Sequence, residues 1–259
     1  MSNLRITLMQ WKLIWEEPEA NMMRFSEQFE FLKGTTDVVI LPEMFTTGFS
    51  MAPEKVAEQW PGKTLDWMKK ESARFGFALC GSIMIQDGGN FYNRFIWVDP
   101  DGKVEFYDKR HLFQMGGEHE IYTPGNSLVV VNYKQWRIAP FVCYDLRFPV
   151  WSRNRNNYDL AIYVVNWPAA RYQVWEKLLM ARAIENQCYV AGVNCVGKDG
   201  REITYSGHSM MINPRGEQAL ALTPGIEEAK TTDISLDRLN KFREKFPVMT
   251  DADDFELKI

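Results

Sequence analysis

Short apolar runs alternate with segments of helical period along much of this chain, and that alternation restricts it to an α/β architecture. Strand-like runs occupy residues 4–10, 38–41, 77–85, 91–98 and 103–107, then 127–133, 136–143, 160–166, 189–196 and 209–213. Between them, residues 20–32 repeat apolar side chains at helical spacing (Met22, Met23, Phe25, Phe29, Leu32), and residues 64–75 and 174–186 do likewise. Gly34 and Gly76 stand just past the first two helices as stop signals. Asp99-Pro100-Asp101-Gly102 predicts a hairpin, and Lys198-Asp199-Gly200 and Asn213-Pro214-Arg215-Gly216 mark further turns. The order is β-α-β-α, then hairpins, then another β-α-β unit, with no linker, repeat or low-complexity segment. One α/β domain over 1–259, with a mixed sheet or two sheets packed together, satisfies that order. The charged tail 236–259, with Phe242, Phe246 and Phe255, is expected to cover the surface or a partner subunit.

Bulk properties exclude several classes of function. The 259 residues are 46% hydrophobic and carry a net charge of −4, with no Lys/Arg block, so the footprint of a nucleic-acid binder is missing. No apolar run approaches the ~18 residues of a membrane span. Met1-Ser2-Asn3-Leu4-Arg5 passes straight into a strand rather than a secretory signal, which predicts a cytoplasmic location. Cys80, Cys143, Cys188 and Cys195 are widely spaced and lie in or beside apolar segments, as reduced thiols do. His111, His119 and His208 lack zinc-ligand spacing with a second His or Cys, so no metal is expected.

Cys143 ends one of the apolar runs, in Val142-Cys143-Tyr144-Asp145-Leu146-Arg147-Phe148-Pro149. A thiol at a strand-to-helix junction stands above a rigid sheet beside unpaired backbone N–H groups, which suits a nucleophile that needs an oxyanion site. Three other strand ends share the look: Leu41-Pro42-Glu43-Met44-Phe45, Tyr107-Asp108-Lys109-Arg110-His111-Leu112-Phe113, and Asn166-Trp167-Pro168. In α/β sheets the ligand crevice lies beyond the carboxyl ends of the strands, where such groups would converge. Taken singly, each has a plainer reading. Glu43 reads as a turn cap, Lys109 as a solvated charge, Glu118 (in Gly116-Gly117-Glu118-His119-Glu120) as loop polarity, and Trp167 as a core residue.

Together these segments resemble the motifs of the nitrilase (carbon–nitrogen hydrolase) superfamily. The match continues through Leu179-Met180-Ala181-Arg182-Ala183-Ile184-Glu185-Asn186-Gln187 and runs from Ile6 to about Pro247. Within the superfamily the chain is similar to the omega-amidase branch, which hydrolyses the side-chain amide of 2-oxoglutaramate and 2-oxosuccinamate. Tyr144-Asp145 departs from the Trp-Glu usual in nitrilases proper, and Val150 stands where many relatives have Glu. The resemblance implies an α-β-β-α sandwich of two mixed sheets with helices on the outer faces, and a homodimer or higher homo-oligomer.

The resemblance also implies a division of labour. Glu43 is the base and proton donor, Cys143 the nucleophile, and Lys109 with the Tyr144 N–H the oxyanion site; Glu118 orients Lys109. Ammonia leaves and a thioester is then hydrolysed, a sequence that needs no metal or organic cofactor. A keto-acid substrate carries a carboxylate, which favours an arginine fork; Arg171 is the first candidate, while Arg147 and Arg182 read as structural. Asn166, Trp167 and Phe113, with Phe49 and Met115, border the pocket or simply pack the core. Alternatives with the same Glu-Lys-Cys site are a broader aliphatic amidase, an N-carbamoyl hydrolase or a nitrilase. A non-catalytic scaffold and a papain-like protease are the other readings.

Overall fold

Alternate residues of the first strand, Asn3–Gln10, point into two different cores. Leu4, Ile6 and Leu8 join residues of a second sheet, while Met9 joins residues of the helices. The same division repeats along its sheet: Val38, Ile40, Cys80, Phe95 and Trp97 face the second sheet, and Val39, Leu79, Ile96 and Val98 face the helices. A strand buried on both faces reads as a near-continuous apolar run, which is why these segments are so visible in the sequence.

The computed structural model describes residues 3–258; residues 1, 2 and 259, the ends of the expected domain and tail, lie outside the described residues. One sheet runs Glu228–Ser235, Asn3–Gln10, Val38–Ile40, Ala78–Asp87, Asn90–Val98, Val104–Asp108, with Glu58–Gln59 added beside Ala78–Asp87. The other runs Gln218–Ala221, Met210–Ile212, Tyr189–Asn194, Leu160–Val165, Trp136–Val142, Val131–Tyr133. Both are mixed: the central strands pair parallel and the flanking ones antiparallel. Helices Pro18–Phe29 and Lys63–Phe75 cover the first sheet through Phe25, Phe29, Leu65, Met68 and Phe75. Helix Tyr172–Asn186 covers the second through Trp175, Leu179 and Ala183. The arrangement is the expected sandwich, two mixed sheets face to face between helices. Among the described residues no helix is long and apolar enough to cross a membrane.

The expected punctuation is present. Gly76 adopts φ 73°, a left-handed stop that a side chain resists, and its N–H closes the helix on Ser72 O at 2.9 Å. Asp99 and Lys103 close the predicted hairpin through Asp99 N–H to Lys103 O, 2.9 Å. The structure differs in three places. The run expected over 127–133 is a strand only at Val131–Tyr133, and Leu128 is exposed. Glu228–Ser235 is a full edge strand paired with Asn3–Gln10, although only Ile234 is buried. The tail begins as helix Leu236–Lys245: the Ser235 hydroxyl caps it, Leu239 enters the core, and Arg243 reaches Asp159 Oδ1 at 2.7 Å.

Candidate active site

Strand ends from both sheets deliver the polar residues. Glu43 follows Val38–Ile40, Lys109 follows Val104–Asp108, Cys143 follows Trp136–Val142 and Asn166 follows Leu160–Val165. Glu118 opens the short helix Glu118–Ile121, behind Gly117 at φ 78°. Gly125 packs against the lysine strand so closely that an added Cβ would lie 2.1 Å from Asp108 O, and its N–H donates to Lys109 O at 2.9 Å.

The side chains meet. Lys109 Nζ donates to Glu43 Oε1 at 3.0 Å and to Glu118 Oε1 and Oε2 at 2.9 and 2.8 Å. Glu43 and Glu118 are fully buried and Lys109 is 1% exposed. Glu43 Oε2 accepts the Asn166 N–H at 2.7 Å, and Asn166 Nδ2 donates to Glu43 O at 2.8 Å. Glu118 Oε2 also accepts the Phe113 N–H at 2.6 Å. The half-buried Cys143 thiol adjoins this cluster, close enough for the Glu43 and Lys109 charges to act on it.

Cys143 holds φ 45°, an uncommon conformation for a side-chain-bearing residue, and Met44 beside Glu43 holds the same value. Strain of this kind persists only where surrounding contacts over-determine it. Here Asp145 supplies them: Oδ2 accepts from Val142 N–H at 3.1 Å and the Tyr107 hydroxyl at 2.7 Å, and Oδ1 accepts from His111. Cys143–Arg147 forms a 3-10 turn, so the Tyr144 N–H belongs to its first turn, where donors have no intrahelical acceptor. Arg182 braces the turn from behind by donating to Leu146 O at 2.6 Å and to Glu185 at 2.8 Å, the structural part expected of it.

Burial and charge set the protonation. Burial disfavours the Lys109 ammonium, but the Glu118 and Glu43 carboxylates outweigh it and raise its pKa above the ordinary lysine value. Burial, opposed by Lys109 and reinforced by Glu43, raises Glu118. Burial and then the Glu43 carboxylate push the Cys143 thiol well above its ordinary value, against the pull of Lys109. The resting thiol therefore keeps its proton and needs a neighbouring acceptor to become a nucleophile. Cys80, Cys188 and Cys195 are raised by burial as well, and all four cysteines are free.

Around this cluster lie the expected lining residues. Phe113 packs edge-on against Tyr144 with centroids 5.2 Å apart, and the Arg171 guanidinium sits 5.6 Å over the Phe113 ring. Trp167 is buried, and its Nε1 donates to Arg171 O at 2.9 Å. The Arg147 guanidinium lies 5.0 Å over the ring of the buried Trp167. Phe49 faces Lys109, with Nζ 5.4 Å from its ring, whereas Met115 is 87% exposed and walls nothing.

Two buried residues in the cluster escape sequence reasoning. Asn194 Oδ1 accepts the Trp167 N–H at 2.9 Å, and its Nδ2 donates to Trp167 O and Gly207 O. Asn93 Nδ2 donates to Glu43 Oε1 at 2.8 Å. The available signals differ: Asn194 ends an apolar strand, as Asn166 follows one, while Asn93 shares the face of Phe95 and Trp97.

Comparison with known proteins agrees with the geometry. A family model described as carbon-nitrogen hydrolase matches residues 5–244. The chain is 48% identical to Omega-amidase YafV of Escherichia coli (strain K12), across 99% of this chain and 100% of that protein. It is 31% identical to the 2-oxoglutaramate amidase of Bacillus subtilis (strain 168), across 95% and 96%. XC1258 of Xanthomonas campestris, a CN-hydrolase superfamily protein whose crystal structure has an arsenic adduct in the active site, matches with TM-score 0.97 and 43% identity over 100% of both chains. By fold, family model and relatives alike, this chain belongs to the carbon–nitrogen hydrolase family and is a hydrolase of carbon–nitrogen bonds other than peptide bonds.

Proposed function

We infer that the chain is an omega-amidase that releases ammonia from small dicarboxylic mono-amides of the 2-oxoglutaramate or 2-oxosuccinamate type. The observation that carries this reading is Lys109 Nζ bonded to both Glu43 and Glu118 beside a thiol that feels the charge of all three. The substrate class rests on the relatives named Omega-amidase YafV and 2-oxoglutaramate amidase.

Glu43 accepts the thiol proton as Cys143 Sγ bonds the amide carbon. The carbonyl oxygen gains the negative charge, held by Lys109 Nζ and the Tyr144 N–H; one such donor is worth about 100- to 1,000-fold in rate. Lys109 can turn an N–H from Glu118 to that oxygen without stranding the carboxylate, because Glu118 Oε2 keeps the Phe113 N–H. Glu43 passes its proton to the leaving nitrogen, the C–N bond breaks, and ammonia departs from a thioester. Water then attacks, Glu43 takes its proton, and the C–S bond breaks to return the thiol and a free acid. Arg171, beside Phe113, is the proposed partner of the substrate carboxylate, with Arg147 over Trp167 as the second candidate.

Ammonia release from 2-oxoglutaramate by the wild type and by Cys143→Ala tests the reading, with succinamate, a carbamoyl amino acid and a simple nitrile alongside. Turnover of the keto-amide by the wild type alone, with a thioester trapped at Cys143 by mass spectrometry, is expected. Equal or faster turnover of the nitrile would sink the substrate assignment, and turnover by Cys143→Ala would sink the mechanism.

A further inference from the structure

Asn93 interrupts the strand Asn90–Val98 with an amide on the face where Phe95 and Trp97 are apolar. It is 1% exposed. Nδ2 donates to Glu43 Oε1 at 2.8 Å and to Glu118 Oε1 at 3.4 Å. Lys109 Nζ reaches the same two oxygens at 3.0 and 2.9 Å. The four atoms close a ring in which two donors alternate with two acceptors. Asn93 Oδ1 accepts no hydrogen bond among the described residues. Reversing the amide would set that oxygen against two carboxylates, so its orientation is fixed. A buried acceptor without a donor is unfavourable, and the arrangement is retained for what the NH2 group does.

We propose that Asn93 is a positioning residue: an uncharged donor that aims the Glu43 carboxylate at the Cys143 thiol and holds both carboxylates around the single Lys109 ammonium. This rests on the amidase reading in that Glu43 must act as the base. Lys109 balances one of the two negative charges. A second cation at position 93 would suppress the basicity of Glu43, and an apolar side chain would leave the carboxylates to repel one another. An amide supplies hydrogen bonds without either consequence. The titratable groups facing it are Glu43, Glu118, Lys109 and Cys143, with Tyr122 and Cys195 behind them. The Asn93 backbone has a separate job, its C=O accepting the Lys109 N–H at 3.0 Å, which a side-chain replacement leaves in place.

Asn93→Ala and Asn93→Asp in the whole protein test this by two readouts. One is the pH profile of ammonia release; the other is the pH profile of iodoacetamide alkylation at Cys143, read by peptide mass spectrometry. Losing donors to a charged group should lower kcat about 10- to 100-fold while KM stays nearly constant. It should also move the acidic limb of both profiles up by about one pH unit, because a carboxylate without its donor binds its proton more tightly. Asn93→Asp should be the poorer enzyme near neutrality and gain on Asn93→Ala toward acid, where the new carboxyl becomes a donor. Should Asn93→Ala fail to fold, Asn93→Ser carries the same readouts. Unmoved acidic limbs in folded variants, or a change confined to KM, would overturn the proposal. An inactive wild type whose alkylation profile still shifts on substitution would count against the substrate reading and for this one.

Discussion

Asp145 Oδ1 accepts hydrogen bonds from both the backbone N–H and Nδ1 of His111, at 2.9 and 2.8 Å. Its other oxygen accepts from Val142 and Tyr107. One fully buried carboxylate therefore ties the lysine-bearing segment to the cysteine turn. The imidazole, stacked on Phe148 at 3.8 Å, is committed to that tie and is unsuited to take a proton from the thiol.

His111→Ala should accordingly leave a working enzyme. It removes one of the hydrogen bonds to Asp145, about 1 to 3 kcal/mol of stability, and should lower kcat by no more than about 10-fold. Asp145→Ala should be far worse, since it strands the Val142 N–H, the His111 N–H and the Tyr107 hydroxyl together. Urea midpoints and ammonia release measure both. If His111→Ala were as dead as Cys143→Ala, the assignment of Glu43 as base would be lost.

The nucleophile's backbone stores strain. Replacing Cys143 by Gly relieves φ 45° whereas replacing it by Ala does not. Cys143→Gly should therefore be more stable than Cys143→Ala by about 1 kcal/mol, although both lack the thiol and should be equally inactive. Thermal midpoints of the two variants decide it. A more stable Ala variant would mean that the turn at 143 is not strained.

How much of this was legible in the sequence follows from burial. Segments such as Leu160–Val165, apolar on both faces, announce themselves, and the residues at their ends could be placed in one crevice. Glu228–Ser235 did not, because it is held mainly by backbone pairing to Asn3–Gln10 and buries only Ile234. Glu43, Lys109 and Cys143 stood out as polar residues at apolar borders. Asn93 has Arg94 beside it and Asn194 ends its strand with nothing charged next to it in sequence, so neither amide stands out until its partners, distant along the chain, are brought beside it. Arg147 and Arg182 were indistinguishable as sequence; only the folded chain sets one over Trp167 and the other on Leu146 O.

Among the described residues Lys109 is the one cation bonded to both enclosed carboxylates, so its removal should be felt by the whole fold. Lys109→Met should cost about 3 to 5 kcal/mol, the usual penalty for stranding a buried charge, and abolish turnover. Adding Glu118→Gln removes one of the stranded charges and should recover part of the stability without recovering activity. Denaturant unfolding of the single and double variants measures the difference. Strict additivity of the two substitutions would show that Lys109 and Glu118 are not coupled.

Asp37 immediately precedes the strand Val38–Ile40, at the opposite end from Glu43, and offers a test of the electrostatics there. Burial works to raise its pKa, but hydrogen bonds from the Arg5 side chain, Lys134 and the Arg5 N–H win and lower it to about 2. The carboxylate lies 3.1 Å from Arg5 Nη2 and 2.7 Å from Lys134 Nζ. A depressed pKa means that the unfolded chain binds the proton more readily, so the stabilisation is complete above the ordinary carboxylate value of ~4 and is lost as pH falls toward 2. Both partners are 40% exposed or more, and solvent and salt screen them, so about 1 to 2 kcal/mol is expected rather than the full value of the shift. Asp37→Asn should be less stable than the wild type by that amount at about pH 7, and the gap should narrow steadily from about pH 4 downward. Urea unfolding of both proteins across that range reads it directly. A gap that stays constant down to the lowest pH at which both remain folded would mean that Asp37 contributes through packing and neutral hydrogen bonds, not through its charge.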